Sequence, residues 1–282
     1  MPFTPSHAVV ALPFIRTPLV PAAVAVGAMT PDLPLFVRGT GITYATTHSW
    51  SGLVVTVVVA FVLLLAWRCL LRPAVRELSP TWLAARLPLE WDMPAREAVL
   101  DTVGADSRHP RGRGYPLLLV VSLLIGVVSH IVWDAFTHEG RWGLAMIPAL
   151  DEPWGPLLGF KWMQYASGVV GLVVIAIWAA LWLGRRAERS AVARVLPPVA
   201  RVAWWVSLPV VLAVAWAIGL AAYGPLDADF GVAHLAYRVL PPACAVWGAG
   251  TAVLAVIVQV ARGRRARRRG TEAPASTSAQ GC

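Results

Sequence analysis

Residues 116–140 read PLLLVVSLLIGVVSHIVWDAFTHEG, an apolar run from Pro116 to Phe136 whose last third carries His130 and Asp134, with His138 just beyond. About 20 apolar residues in helical rise cross the hydrocarbon core of a bilayer, so the run reads as a transmembrane helix. An imidazole and a carboxylate inside such a run are costly to keep in lipid and mark a functional site by default. The spacing of His130, Asp134 and His138 is i, i+4, i+8, which sets all three near one face if the helix persists.

Working outward, four more windows have the same character: Gly52 to Leu71, Ser167 to Gly184, Ala203 to Tyr223, and Val239 to Ala261. The composition agrees. Of 282 residues, 57% are hydrophobic and only 14% charged, and the mean hydropathy is +0.64. A soluble domain carries roughly 25% charge, so a disordered chain is excluded and an ordinary cytosolic enzyme is not expected. The three cysteines, Cys69, Cys244 and Cys282, offer neither a disulfide framework nor a Cys-rich zinc site, so any metal falls to His and carboxylates. No P-loop, dinucleotide fingerprint or nucleophile elbow is present.

The net charge of +9 is distributed by side. Arg72, Arg76, Arg86, Arg96, Arg108, Arg111 and Arg113 crowd the 72–115 loop, five arginines lie between Arg185 and Val202, and six follow Ala261. By contrast, Thr137 to Ala166 holds only Arg141 and Lys161, and Gly224 to Arg238 only Arg238. The positive-inside rule therefore puts the 72–115 loop, the 185–202 loop and the C-terminal tail in the cytoplasm, and the 137–166 and 224–238 loops outside. Trp50, Trp133, Trp142, Trp154, Trp162, Trp204 and Trp205 flank the spans as an interfacial aromatic belt does. Nucleic acid is not an expected partner of the basic tail, which reads as a disordered lipid-attracting segment over 262–282.

Residues 1–50 are broken by Pro2, Pro5, Pro13, Pro18, Pro21, Pro31 and Pro34. They read as two short apolar helices, about Ser6 to Phe14 and Pro21 to Met29, turning at Arg16 to Pro18. A re-entrant or interfacial hairpin fits best, with a short span from Leu19 to Val37 as the alternative. No basic segment precedes the first helix, so a cleaved signal peptide is not expected. The fold class is thus all-α: a polytopic membrane helix bundle of about five spans plus this hairpin. Four regions follow: 1–50, the hairpin; 51–184, the membrane core with the cytoplasmic loop 72–115; 185–261, a two-span C-terminal region; and the tail 262–282. Within the loop 72–115, Trp82, Trp91 and Pro-bounded pieces suggest short amphipathic helices.

Sidedness gathers the polar residues. The span from Pro116 runs outward, placing His130, Asp134 and His138 at its outer end, and the span from Gly52 runs inward, placing His48 at its outer start. If the hairpin is re-entrant, His7 and Asp32 return to the same face; if Leu19 to Val37 spans, they separate. Neutral imidazole with carboxylate suits Zn²⁺ or a comparable divalent cation. The expected ligands are His7, Asp32, His48, His130 and Asp134, with His138 the more exposed. Asp32 or Asp134 either bridges two ions or serves as general base. Arg141 and Lys161 either hold an anionic leaving group or anchor headgroups, and Gln164 either orients a ligand or caps a helix. Glu139 points elsewhere, and His109 and His234 read as surface histidines.

These residues carry a resemblance. Met1-Pro-Phe-Thr-Pro-Ser-His7, Met29-Thr-Pro-Asp32-Leu-Pro, Thr47-His48-Ser49, His130-x-x-x-Asp134-x-x-Thr137-x-x-Gly140 and Gln164-Tyr-Ala-Ser167-Gly168, in that order over about residues 1 to 185, resemble an uncharacterised bacterial membrane family, domain of unknown function 4184. More distantly, the order His, Asp, His-Ser, His-x-x-x-Asp is similar to that of the membrane-bound metal-dependent hydrolases. The resemblance implies an integral protein of the bacterial inner membrane with a metal-dependent hydrolase site. It departs from the hydrolases at one point: Thr46-Thr47 precede His48, where those proteins carry a His-Arg pair. The expected activity is hydrolysis of a phospholipid or lipid-linked phosphate at the outer face. A transporter and a non-catalytic scaffold are the alternatives.

Overall fold

The computed structural model describes residues 4–106, 111–189, 192–227 and 229–272. His109 and Cys282 lie outside the described residues. Among the described residues, five helices are long and apolar enough to cross a membrane: Leu53–Leu78, Tyr115–Thr137, Gly159–Gly184, Pro198–Tyr223 and Val232–Arg265. We label the short helix Pro21–Met29 α1 and the long helices α2 (Leu53–Leu78), α3 (Tyr115–Thr137), α4 (Gly159–Gly184), α5 (Pro198–Tyr223) and α6 (Val232–Glu272). Among the described residues the strand pairing consists of two residues on each side, Pro153–Trp154 against Leu157–Leu158. The protein is an all-α, multi-pass membrane bundle.

Two helices begin where a proline costs nothing. Pro116 and Pro198 sit in the first turns of α3 and α5, where the backbone N–H has no intrahelical acceptor to lose. Helix α4 starts at Gly159, eight residues before the expected Ser167, because the apolar run continues through Phe160 and Met163 once Lys161 is tolerated in its first turn. Helix α6 continues through Arg262 to Glu272, where the sequence reading began a tail; residues 273–282 are not described. The loop between α2 and α3 contains the expected short pieces, Thr81–Ala84, Leu89–Asp92 and Ala95–Val103.

The N-terminal segment Thr4–Arg16 is a 3₁₀ helix that turns back into α1, and the chain then passes through Thr30–Asp32 and Leu33–Phe36. Helix α1 runs parallel to α3. The Val20 N–H donates to Ser122 Oγ at 2.9 Å, and the Ala28 carbonyl accepts from His130 Nδ1 at 2.7 Å. Ser122 precedes His130 by eight residues, about 12 Å of helix. The hairpin therefore enters the bundle and returns, and the stretch from Leu19 to Val37 is not one continuous helix but changes to a 3₁₀ turn at Thr30–Asp32. Lipid gives helices no hydrophobic reason to associate, so small residues that allow close approach decide the packing. A Cβ on Gly126 would collide with the Val24 carbonyl, and one on Gly27 with the Leu123 carbonyl. Around this contact Ala23, Ala60, Leu64, Leu119, Leu123 and Val127 form the buried apolar core.

Helices α5 and α6 form a second layer. Trp204 Nε1 donates to Thr251 Oγ1 at 3.0 Å and Trp247 Nε1 to Ser207 Oγ at 2.9 Å. Pro73, four residues on and without an N–H, leaves the Cys69 carbonyl in the π-turn Trp67–Leu71 of α2 to accept from Gln259 of α6. The same end of the bundle holds Glu77, 0% exposed, which accepts from the Val195 and Leu196 N–H groups and from Arg262.

Candidate metal centre

Four elements deliver the site at the opposite end. His48 is the C-cap of the short helix Tyr44–Thr47, just ahead of α2. His130 and Asp134 face inward one turn apart near the end of α3. Asp32 closes the 3₁₀ turn after α1, and His7 comes from the N-terminal segment. All are buried: His130 is 0% exposed, Asp134 2%, Asp32 3%, His48 6% and His7 8%. One ligand atom from each of Asp32, His48, His130 and Asp134 lies within 4.8 Å of all the others.

Their spacing is close. His48 Nε2 is 3.1 Å from His130 Nε2, and each of these nitrogens is 3.4 Å from Asp134 Oδ2. Asp32 Oδ1 stands 3.9 Å from His48 Nε2 and 3.7 Å from His130 Nε2. Zinc–nitrogen bonds of about 2.0–2.1 Å in a tetrahedron put ligand atoms roughly 3.3 Å apart, and four-coordinate His/carboxylate sets are among the usual zinc sites. The residues present fit a divalent cation.

Hydrogen bonds fix the tautomers. A backbone carbonyl only accepts, so His130 Nδ1, 2.7 Å from the Ala28 carbonyl, must carry a hydrogen, as must His48 Nδ1, 3.0 Å from the Tyr44 carbonyl. In the neutral rings both Nε2 atoms are then lone pairs, and they face each other beside two carboxylates. Such carbonyl-anchored imidazoles are the usual outer support of a metal-ligating histidine. Thr47 Oγ1 donates to the Pro31 carbonyl at 2.7 Å and ties the His48 turn to the Asp32 turn.

His7 and His138 stand outside the four-atom set. His7 Nε2 is 3.8 Å from Asp134 Oδ1, and both atoms are buried without a hydrogen-bond partner among the described residues. Helix α3 stops at Thr137 and His138 leaves in extended backbone, so the expected i, i+8 relation is not helical. The ring still turns back, with Nδ1 3.5 Å from Asp134 Oδ2. Burial pushes its pKa below the ordinary histidine value. Gln164 Nε2 donates to His138 Nε2 at 3.1 Å, which leaves the hydrogen on Nδ1, 3.2 Å from Thr137 Oγ1. Gln164 thus orients a histidine rather than capping a helix, and His138 presents no lone pair to the cluster.

Arg141 lies over the Tyr44 ring at 5.7 Å from its centroid, beside the site. Lys161 rests on Phe160, with no contact to the cluster. Glu139 is exposed, as expected from its position. Sequence reasoning missed Thr4, whose Oγ1 donates to Asp32 Oδ2 at 2.7 Å, and Tyr44, whose hydroxyl is 3.4 Å from Asp134 Oδ2 and whose ring stacks on His48. Burial, with Asp134 beside it, raises the Tyr44 pKa and keeps the phenol a donor. The i, i+4 spacing from Tyr44 to His48 was the available signal.

A family profile described as a domain of unknown function, DUF4184, matches residues 1–261. The chain belongs to the DUF4184 family. The match extends past the motif-bearing region through α5 and most of α6, so the second layer is part of the family's domain. No curated protein and no solved structure matches the chain. The likeness of this DUF4184 protein to the metal-dependent hydrolases rests on the ordered motifs alone.

Proposed function

We propose that this DUF4184 protein is a metal-dependent hydrolase of the bacterial inner membrane, cleaving a phosphoester of a lipid or lipid-linked substrate at the outer face. Asp32, His48, His130 and Asp134 hold a divalent cation, most simply zinc. The observation that carries the reading is the pair of imidazole lone pairs 3.1 Å apart, each ring locked through Nδ1 onto a backbone carbonyl. Acceptors facing acceptors in a buried space repel one another until a cation is placed among them.

A bound cation there supplies Lewis acidity, polarising a phosphoryl oxygen and bringing the pKa of a water towards about 7. The chain's own groups do the rest. Asp134 Oδ1 and His7 Nε2, 3.8 Å apart and otherwise unpartnered, accept the proton of an attacking water as general base. Arg141, held against Tyr44, steadies an anionic substrate group. A cavity of about 350 Å³ beside His7 reaches Trp133 and Val170, 40% and 59% exposed on the lipid-facing surface, which suits a substrate arriving sideways from the bilayer. The outer-face assignment follows the arginine distribution, since the Arg-poor segments adjoin this end.

An ion path would need polar groups along the bundle, yet the core between its two ends is Ala23, Ala60, Leu64, Leu123 and Val127. The test is elemental mass spectrometry on the detergent-purified chain, with Asp134→Asn and His48→Gln in parallel. About one zinc or manganese per wild-type chain, lost in both folded variants, is expected. A wild-type protein that neither retains nor takes up metal would end the hydrolase reading and favour a scaffold.

A further inference from the structure

The bundle holds a larger cavity that the metal centre does not use, about 680 Å³ in volume. Ala11 and Ala25 of the hairpin form one wall, Leu63 and Trp67 of α2 another, and Trp178 of α4 closes it. Small side chains on the hairpin leave the space open. Its lining is apolar apart from Arg68 and Arg72, which sit with Trp91 at the end away from the His/Asp cluster.

One carboxylate at that end serves two arginines. Arg68 pairs with Asp101 at 3.2 Å, but Asp101 is shared with Arg111 at 2.9 Å. Arg72 has no carboxylate at ion-pair distance among the described residues; its guanidinium lies over the Trp91 ring, 5.3 Å from the centroid. Glu90, on the same loop as Trp91, is exposed. Arg72 follows Leu53 by 19 residues, about 28 Å along the helix. A hydrocarbon core is about 30 Å thick, so Arg72 stands at the depth of the phosphates of the leaflet opposite the metal centre.

We propose that this cavity is a binding site for an anionic membrane phospholipid. One acyl chain lies between the hairpin and α2, and the phosphate meets Arg72 and Arg68. Three observations converge: a half-open apolar channel, whose α2 wall from Leu63 to Arg72 is about 14 Å of helix; an arginine at its mouth with no carboxylate at ion-pair distance among the described residues; and the position of that mouth at headgroup depth. Basic pockets between transmembrane helices take anionic headgroups for the same reason. The lipid wedges the hairpin that carries His7 and Asp32 from the side remote from the metal centre, so it is a structural ligand rather than a substrate. The proposal stands whether or not the hydrolase reading does.

Native mass spectrometry of the full-length detergent-purified protein with equimolar dioleoylphosphatidylglycerol and dioleoylphosphatidylcholine tests it. The expected wild-type result is one bound phosphatidylglycerol per chain, preferred at least fivefold over phosphatidylcholine. Arg72→Gln should lower that preference below twofold while lipid still binds, and Ala25→Phe, which fills the channel without touching the arginines, should abolish the adduct. Ala11→Phe fills it from a different element and serves if Ala25→Phe does not give a monodisperse protein. Equal adducts of the two lipids on the wild type, an unchanged preference in Arg72→Gln, or an unchanged adduct in the filled channel would each overturn the proposal.

Discussion

Asp134 and Glu77 are buried carboxylates at opposite ends of one bundle, 2% and 0% exposed. Glu77 is surrounded by donors: Val195 and Leu196 N–H groups at 3.0 and 2.9 Å on Oε1, and the Arg262 guanidinium at 3.1 Å on Oε2. Arg194 completes that end by donating to the carbonyls of Arg76, Glu77 and Ser79. Asp134 instead meets two imidazoles whose free nitrogens are acceptors, and its Oδ1 has no hydrogen-bond partner among the described residues. Tyr44 donates to its Oδ2 from the edge at 3.4 Å, and His138 Nδ1 stands 3.5 Å away. Burying a carboxylate costs several kcal/mol unless donors or a cation compensate. The arginine end surrounds its carboxylate with donors, whereas the histidine end turns acceptors toward its carboxylate, a set that fits a cation. Burial of charge does not by itself distinguish a site from a strut; the sign of the surrounding groups does.

The hardest test of that contrast is to remove one member from each end. His130→Gln withdraws a lone pair fixed by the Ala28 carbonyl, and cation affinity should fall by more than the roughly 100-fold that loss of an outer supporting group causes. Zinc competition against a chromophoric chelator reads this directly, and an affinity within tenfold of wild type would remove His130 from the ligand set. Glu77→Ala leaves Arg262 and two backbone N–H groups without their acceptor and should destabilise the protein by about 3–5 kcal/mol. Melting in detergent measures it, and the metal content per folded chain should not change. A variant as stable as wild type would mean that α6 is held by its packing and not by this carboxylate.

How far each end was legible in the sequence follows from the range of the forces involved. Apolar runs are local, and the five spans could be read from them, with errors only at ends such as Gly159, where one lysine in a first turn hid eight residues of helix. Prolines at 5, 13, 21 and 31 announced a broken hairpin, and that break is why Asp32 returns to His130. His7, Asp32, His48, His130 and Asp134 stood out because polar residues are rare in such surroundings. Thr4 and Tyr44 did not, since a threonine and a tyrosine near an interface have no local oddity. The Glu77 network was invisible for a different reason: Arg194 and Arg262 lie more than 100 residues away in arginine-rich stretches that looked like solvated loop and tail.

Intermediate effects belong to those edge donors. Tyr44→Phe removes the phenol from Asp134 and keeps the ring stacked on His48; Thr4→Val removes the hydroxyl from Asp32. Supporting groups of this kind typically contribute 10–100-fold in metal affinity, and each variant should lose about that much with little change in melting temperature. Equal loss from both would indicate that Asp32 and Asp134 bear similarly on one cation. A loss confined to Tyr44→Phe would make Asp134 the principal carboxylate.

The smallest expected effect is at Arg141, and it separates binding the cation from binding the substrate. Its guanidinium lies over the Tyr44 ring rather than in the cluster, so Arg141→Gln should leave metal content and melting temperature as they are. If the residue steadies an anionic group of the substrate, it does so half-exposed to solvent, where such charge pairs are worth about 0.2–1 kcal/mol. KM for a phosphoester substrate should then rise by no more than about fivefold with kcat nearly unchanged, the mark of binding energy spent equally on ground state and transition state. Salt should mimic the substitution, because added ions screen an exposed charge and leave the buried centre alone. A fall in kcat with KM unchanged would instead put Arg141 on charge that develops only in the transition state, and the boundary between the metal centre and its surroundings would have to be drawn one residue further out.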